Sequence, residues 1–263
     1  MNNKVSISKH LTKKLGHISS NERYRRVLTF AHTKTGQDFY RDKNGNYWNL
    51  MFYVDDCVNY LAVTDPKLAL EAGRIFGEFL SLTRDFDSST LFEVIPNFHT
   101  MSFRFKQFDT ALGKAQSNNR EEAKESINFA HSLRDEMLKL ENLVAKNKIP
   151  LRVTHNDTKI SNVLFSQSGD ALCVIDTDTV MEGIVHFDFG DAIRIICNTA
   201  DEDEKDLSKV EFDLPYYEAF TKGFMSSLRN AISETEVAHL AFSAKMLTFI
   251  IGLRLRPDYL NDA

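Results

Sequence analysis

The chain has 263 residues, of which 43% are hydrophobic and 26% charged, a composition typical of a globular protein with its own core. A formal net charge of −5 argues against a strongly basic surface of the kind that attracts nucleic acid or an anionic membrane. The three cysteines form no CxxC pair, and no apolar stretch has the length of a signal peptide or a transmembrane helix. We therefore expect a cytoplasmic protein that binds neither nucleic acid nor membrane.

Residues 1–56 predict a small β-containing piece. Apolar residues at mostly helical spacing indicate a helix over 4–15. The run 26–33 is typical of a strand, and Asn44-Gly45 is a strong tight-turn signal before a second strand over 47–54. We expect an antiparallel pair, in which the aromatic residues of the second strand form sheet core rather than a sugar-stacking surface: Tyr47, Trp48, Phe52 and Tyr53.

Residues 57–263 predict a mostly helical piece, so the fold class is α+β. Asp65 followed by Pro66 is typical of a helix N-cap with proline at the first helical position, and an apolar stripe follows to about residue 86. Short β-prone runs indicate three strands near residues 151–155, 162–165 and 171–175. The remaining pattern predicts helices over 100–115, 119–146, 188–198, 215–230 and 234–254.

The candidate chemistry lies in the segment 153–178. His155, Asp157 and Asn162 fit the H-x-D-x-x-x-x-N pattern of kinase catalytic loops. Phosphoryl transfer needs a carboxylate that orients the attacking hydroxyl and accepts its proton, and oxygen ligands that hold Mg²⁺ on the phosphates. Asp157 suits the first task and Asn162 the second. Lys159 is either a contact to the transferred phosphate or a solvated lysine, and His155 is expected to support the loop by hydrogen bonds.

Two aspartates compete for the second metal-ligand role. Asp188 begins a DFG sequence like that of protein kinases, but Asp176 directly follows the predicted hairpin and so emerges beside the catalytic loop. We predict Asp176 as the ligand and Asp188 as the N-cap of the next helix. Asp178 either shares the metal or holds a neighbouring side chain. Arg194 either contacts substrate or phosphate, or forms a salt bridge on the surface of its helix.

At these residues the chain resembles the aminoglycoside phosphotransferase and choline kinase superfamily, most closely its N-acetylhexosamine 1-kinase branch. The resemblance rests on RRVLTFAHTKTG, RDKNGNYWNLMFYV, LRVTHNDTKISNVLF, VIDTDTVMEGIVHFDFGDAIR, LTFIIGLR and DYLN. It implies a protein-kinase-like fold and transfer of the γ-phosphate of ATP, with Mg²⁺, to the anomeric hydroxyl of N-acetylglucosamine or N-acetylgalactosamine. It also implies Asp157 as the base and Asn162 and Asp176 as metal ligands, with adenine against the backbone near Met51, Phe52 and Tyr53.

The sequence departs from that superfamily at its amino terminus. Similar proteins begin with a glycine-rich hairpin and a strand lysine that holds phosphates, neither of which precedes the first helix here, and this helix contains no Asp or Glu. We expect a chain shortened at both ends, with an incomplete amino-terminal β lobe and weak or absent activity, because positioning and electrostatic clamping supply most of the catalysis of phosphoryl transfer. The alternatives are a nucleotide- or sugar-binding remnant without turnover, and a metal-dependent phosphohydrolase using Asp157, Asp176 and Asp178.

Overall fold

The computed structural model describes residues 2–200 and 204–260, apart from the side chains of residues 256–258. Met1 and the last residue of the DYLN sequence lie outside the described residues. Within them the chain has the expected α+β class, with many helices and short antiparallel sheets. None of the helices in these described ranges is long and apolar enough to cross a membrane.

The amino-terminal part contains two helices and one hairpin: α1 (Asn2–Lys14), α2 (Ser20–Tyr24), β1 (Tyr40–Arg41) and β2 (Tyr47–Trp48). The hairpin turns at the predicted Asn44-Gly45, where Gly45 has a φ of 88° that glycine adopts without steric cost. The predicted strand over 26–33 was wrong, since that segment pairs only through an isolated antiparallel bridge between Phe30 and Met51. One cause is that the Leu28 carbonyl accepts a hydrogen bond from the Ser8 hydroxyl of α1 at 2.5 Å instead of entering a sheet.

The prediction that the aromatic residues near β2 form sheet core was also wrong. Tyr47, Trp48, Phe52 and Tyr53 are each more than half exposed. A two-stranded ribbon buries little on either face, and the Trp48 indole N–H donates to the Asp42 carboxylate at 3.0 Å at the surface.

Helices α3 (Pro66–Leu82) and α10 (Leu214–Leu228) pack closely enough for backbone to touch backbone. The Asp65 side chain caps α3 as predicted by accepting the N–H groups of Lys67 and Leu68. A Cβ atom placed on Gly223 of α10 would lie 1.9 Å from the Leu70 carbonyl oxygen of α3. Only glycine permits this approach, so α3 and α10 form a fixed pair behind the catalytic segment.

Two short sheets hold the catalytic segment. The strands are β3 (Cys57–Val58), β4 (Arg152–Thr154), β5 (Val163–Ser166), β6 (Ala171–Val174) and β7 (Met181–Gly183). One sheet has the antiparallel order β3-β5-β6, and β4 pairs with β7. The catalytic loop, residues 155–162, therefore joins β4 to β5, and a second loop, residues 175–180, joins β6 to β7. Both loops leave neighbouring sheets at the same end.

The remaining helices form the larger part of the molecule. The predicted helix over 119–146 is interrupted at single residues such as Ala123 and Leu133, whose ψ angles lie near 0°. Because each interruption is a single tight turn, residues such as Ile127 and Met137 still face the core. The helices are α4 (Met101–Lys114), α5 (Ser117–Glu122), α6 (Lys124–Ser132), α7 (Arg134–Met137), α8 (Lys139–Ala145), α9 (Val185–Ile196), α11 (Glu234–Val237) and α12 (Leu240–Leu260).

The core has two apolar clusters on either side of α9. The first joins α1, α3, α10 and the three-stranded sheet, and includes Ile7, Phe76 and Phe165. The second joins α4, the α6–α8 segment and α12, and includes Phe108 and Ile250. Helix α9 contributes buried residues to the first cluster and packs along α12 through Gly190. The catalytic loop thus lies on α9, where the two clusters meet.

Candidate active site

The Asp157 carboxylate lies between an amide and an ammonium group of its own loop. The Asn162 Nδ2 donates to Asp157 Oδ2 at 2.9 Å and to the Asp157 backbone carbonyl at 2.9 Å. The Lys159 Nζ lies 3.0 Å from the same Oδ2. The Asp157 side chain remains 27% exposed, whereas Asn162 is buried. The loop therefore presents one carboxylate to solvent in a fixed orientation, beside one cation.

Asp176 follows directly on backbone that is bonded to the catalytic loop. The Ile175 N–H donates to the Asn162 carbonyl at 2.8 Å, and the Ile175 carbonyl lies 2.9 Å from the His155 ring Nε2. Asp176 has a φ of 54°, a left-handed conformation that Asp tolerates better than most residues, and it is exposed. The hydrogen-bonded Asp157 carboxylate raises the pKa of Lys159, and the charge of Asp176 adds to this effect. The structure thus brings Asp157, Asn162 and Asp176 to one end of the two sheets.

Asp188 holds the catalytic loop and is not an N-cap, so that prediction was wrong. The N-cap of α9 is Ile184, and Asp188 lies inside the first turn with 1% of its surface exposed. Its two carboxylate oxygens accept the backbone N–H groups of His155 at 2.9 Å and Asn156 at 2.8 Å. The helix begins before Asp188, which frees this carboxylate to bind the loop rather than its own helix end. Burial raises the pKa of Asp188 to about 7.

Asp191 is a second support that sequence reasoning missed. Its carboxylate accepts the Thr158 N–H at 3.1 Å and pairs with the Arg194 guanidinium at 3.0 Å. Burial raises the pKa of Asp191 as well. The available signal was the spacing of three residues between Asp188 and Asp191, which places both carboxylates on one helix face. Arg194 therefore makes the salt bridge that was one of its two predicted roles.

The two residues before Asp157 are buried and are held by contacts with several segments. His155 is fully buried, with Phe76 and Phe79 edge-on to its ring at 5.7 and 5.9 Å, and burial lowers its pKa. Asn156 has a φ of 64° and donates from its amide to the carbonyls of Thr154 and Thr179. A residue in this unfavourable conformation persists where its surroundings fix it, as they do here.

Helix α1 is attached to the 175–180 loop. The Lys4 Nζ lies 2.6 Å from Asp178 Oδ1, so Asp178 holds a neighbouring side chain, one of its two predicted roles. The buried Asn3 amide donates to the Val180 carbonyl at 2.8 Å and to the Phe92 carbonyl at 2.7 Å. Nothing in the local sequence pattern indicated Asn3, because its partners lie far along the chain.

The backbone at Met51 is oriented away from its paired segment. The Ala31 N–H donates to the Leu50 carbonyl and the Phe52 N–H to the Thr29 carbonyl. In an antiparallel pair these bonds flank the Phe30–Met51 bridge, so the N–H and C=O of Met51 point outward. Met51, Phe52 and Tyr53 have exposed side chains. The predicted adenine site is therefore an accessible strand edge.

A cleft of about 1230 Å³ lies between α6, α9, α12 and residues 210–212. Its walls include Phe129, Phe212 and Phe249, together with Arg194 and Arg254. Arg194 connects the cleft to the catalytic loop through its ion pair with Asp191. Within the described ranges, no three His, Cys, Asp or Glu side chains are grouped as a metal site.

Comparison with known proteins is consistent with this geometry. The chain matches the family model described as the phosphotransferase enzyme family over residues 26–219. An aminoglycoside phosphotransferase from Alicyclobacillus acidocaldarius is similar over 98% of this chain and 84% of its own, with a TM-score of 0.56 and 14% identity. A microcompartment-associated aminopropanol kinase is similar over 99% of this chain and 79% of its own (TM-score 0.58, 15% identity). An amicoumacin kinase solved with AMP-PNP and Ca²⁺ is similar over 97% of this chain and 69% of its own (TM-score 0.58, 14% identity). At these identities the structures show a shared fold, which is the protein-kinase-like fold expected from the sequence.

Proposed function

Because the chain belongs to the phosphotransferase enzyme family, we propose that it transfers the γ-phosphate of ATP to a hydroxyl group of a small sugar. More specifically, we propose that the acceptor is the anomeric hydroxyl of an N-acetylhexosamine. It is supported by the resemblance of the catalytic segments to N-acetylhexosamine 1-kinases. The use of a nucleotide with a divalent cation is supported by the similar amicoumacin kinase, which was solved with AMP-PNP and Ca²⁺.

The observation that carries this proposal is the position of Asp157 between Asn162 and Lys159. The two contacts at Oδ2, at 2.9 and 3.0 Å, fix the carboxylate while Oδ1 has no partner among the described contacts. A carboxylate held in this way can orient an acceptor hydroxyl and take its proton as the phosphoryl group arrives. Lys159 lies beside it as a cation for the transferred phosphate.

Asn162 and Asp176 fit the role of Mg²⁺ ligands. The Asn162 Nδ2 donates to Asp157, so the other amide atom of Asn162, Oδ1, points away from Asp157 and can serve as an oxygen ligand. Asp176 carries an exposed carboxylate on the adjoining loop. Hard oxygen donors in small number, completed by phosphate oxygens and water, are what Mg²⁺ prefers. When bound, the ion would neutralise charge on the phosphates, and the two residues would position it next to Asp157.

The nucleotide and the acceptor are proposed to bind at two different places. Adenine is proposed to hydrogen-bond the outward-pointing backbone of Met51, with Phe52 and Tyr53 adjoining it. The acceptor is proposed to occupy the cleft beside α9. The phenylalanine rings that line this cleft can contact the apolar face of a sugar ring. The phosphohydrolase alternative finds less support, because Asp178 is paired with Lys4. His186 is buried and bonded to the Glu236 carbonyl.

The test is an ATP-dependent assay on the purified full chain with Mg²⁺ and N-acetylglucosamine or N-acetylgalactosamine. ADP release and ³¹P NMR of the product would report transfer and the position of the new phosphate. We expect Asp157→Asn to lower kcat by about 10²–10⁴-fold, the usual contribution of a general base. Asp170→Asn is the matched control, because Asp170 is an exposed aspartate in the turn between β5 and β6.

Two outcomes would count against the proposal. Equal rates for the wild-type chain and Asp157→Asn would remove Asp157 from the chemistry. Binding of ATP and sugar in calorimetry without any product would instead favour the non-catalytic binding remnant. A product phosphorylated at a position other than the anomeric carbon would support kinase activity and contradict only the proposal that the anomeric hydroxyl is the acceptor.

A further inference from the structure

Phe98 and His99 lie among three arginines, two of which line the cleft. The Arg254 guanidinium lies over the Phe98 ring, 5.0 Å from its centroid, and the Phe98 carbonyl accepts a hydrogen bond from Arg104 at 2.9 Å. The His99 ring lies 4.2 Å from the Phe98 ring and is buried. Burial lowers the pKa of His99, and the positive charges of Arg254, Arg104 and Arg194 lower it further. Arg194 therefore also lies near this ring. We call Arg104, Arg194 and Arg254 the arginine cluster.

Two members of the arginine cluster, Arg104 and Arg254, form no ion pair with a carboxylate among the described residues. Arg194 is paired with Asp191. Arg104 donates to the neutral oxygens of Gln107 and Phe98, and its buried Nε has no partner in the described ranges. Arg254 has an aromatic ring beneath it and, within the same ranges, no carboxylate at ion-pair distance.

Two of these positive charges are close enough to disfavour each other. Burial lowers the pKa of Arg104, and the charge of Arg254 lowers it further. A cluster of this kind gains stability when an anion lies between its members, because guanidinium groups bind carboxylate and phosphate oxygens through charge-assisted hydrogen bonds.

His99 is a second polar group beside the arginine cluster that a ligand could contact. Neither ring nitrogen makes a hydrogen bond of good geometry among the described residues, and the Asn156 backbone near the ring favours its protonated form and so raises its pKa. Burial lowers its pKa to about 3, so the ring is neutral at physiological pH and can donate one N–H. A buried polar group without a partner is uncommon and costs free energy.

We propose that the arginine cluster binds an anionic group, a carboxylate or a phosphate, on the small molecule that occupies the cleft. Arg254 and Arg194 both line the cleft, and Arg194 is connected to the catalytic loop through Asp191. If the proposed kinase function is correct, that molecule is the acceptor, a sugar that carries a carboxylate or phosphate in addition to the neutral N-acetylhexosamine, and this group anchors it while a hydroxyl faces Asp157. The cluster would then also disfavour cationic acceptors by like-charge repulsion.

The site can be tested without nucleotide or turnover, which separates it from the proposed kinase activity. Inorganic phosphate and acetate would be titrated into the full chain at constant ionic strength, with chloride as the reference, and followed by thermal shift and calorimetry. We expect saturable binding of at least one of the two anions, and the comparison between them tells phosphate from carboxylate recognition. In Arg254→Gln the affinity should fall about tenfold or more, as expected for loss of a charge-assisted contact.

Arg134→Gln is the matched control. Arg134 also lies over a phenylalanine, Phe105, at 4.5 Å, but it is paired with Asp109 and does not line the cleft. Its substitution should leave anion binding unchanged. If Arg254→Gln fails to fold, Arg254→Lys provides the same test, because it retains the charge and loses the planar fork, so the affinity should fall only partly.

Three results would overturn the proposal. One is the absence of saturable binding of either anion to the wild-type chain. Another is equal affinity in the wild-type chain and Arg254→Gln. The third is binding that disappears in Lys159→Gln and persists in Arg254→Gln, which would place the anion at the catalytic loop instead.

Discussion

Replacing Asp188 with asparagine tests whether a buried carboxylate holds the catalytic loop. Asp188 accepts two backbone N–H groups with its two oxygens. Asparagine has nearly the same shape but only one acceptor oxygen, so either His155 or Asn156 would face an NH₂ group instead. Leaving one buried N–H unsatisfied costs about 1–3 kcal/mol. Asp188→Asn should therefore lower the free energy of unfolding by about that amount near pH 4.5, where most of the pH-dependent contribution of Asp188 remains.

The pH dependence of the stability difference is a more specific test of the role of Asp188. The pKa of Asp188 is about 7 in the folded chain, against the ordinary value of 3.8. Between these values the folded state binds more protons than the unfolded state, so this group's contribution to stability is full below pH 4 and is lost as pH rises through 7. At about 1.4 kcal/mol for each pKa unit, the contribution has a ceiling of roughly 4 kcal/mol. The asparagine side chain does not titrate, so the stability difference between wild type and variant should shrink as pH rises.

Urea unfolding followed by circular dichroism, at several pH values between 4.5 and 8, would measure this difference. Asp170→Asn is the control, because Asp170 is exposed and its hydrogen bond from Ser168 lowers rather than raises its pKa. The control should show no such change over the same range. A stability difference for Asp188→Asn that stays constant, or that grows with pH, would refute the argument that burial dominates this carboxylate.

Two further substitutions test the framework around the site. Gly223→Ala should destabilise the chain by about 3 kcal/mol or more, because the new Cβ would meet α3 backbone at 1.9 Å. Gly113→Ala, where nothing lies within 4 Å, should instead stabilise α4 by about 0.5–1 kcal/mol in the same urea titration, and similar effects at both glycines would contradict the close packing of α3 and α10. Asn3→Ala should leave the Val180 and Phe92 carbonyls without their donor and cost about 1–3 kcal/mol. Hydrogen exchange should then rise at the N–H groups of the 175–180 loop, whereas Asn2→Ala at an exposed position should leave exchange there unchanged.

The parts of the site that the sequence predicted are those set by local spacing. His155, Asp157 and Asn162 lie on one loop, and the strands that flank it were visible as short β-prone runs. The exit of the β5–β6 hairpin pointed to Asp176 for the same reason. In each case a few consecutive residues determine where the side chain lies, so a pattern in the sequence suffices.

The parts that the sequence did not predict depend on contacts between distant segments. Asn3 bonds a carbonyl 177 positions away, and Asp191 bonds the Thr158 N–H 33 positions away. No periodicity records which distant backbone group a polar side chain will reach. The exposure of Trp48 was missed for a related reason, since the apolar pattern of a strand does not say whether a second layer covers it.

Solvent exposure explains why two pairs of aspartates in one small region have different roles. Asp188 and Asp191 are buried on one face of α9, and their oxygens are engaged by backbone N–H groups of the catalytic loop and by Arg194. A cation could reach Asp188 only if the loop gave up both of its hydrogen bonds. Asp157 and Asp176 keep exposed carboxylate surface, which a metal ion or substrate can reach without breaking the fold. The DFG-like sequence at Asp188 is therefore better explained by loop support, and the proposed metal site by Asp176.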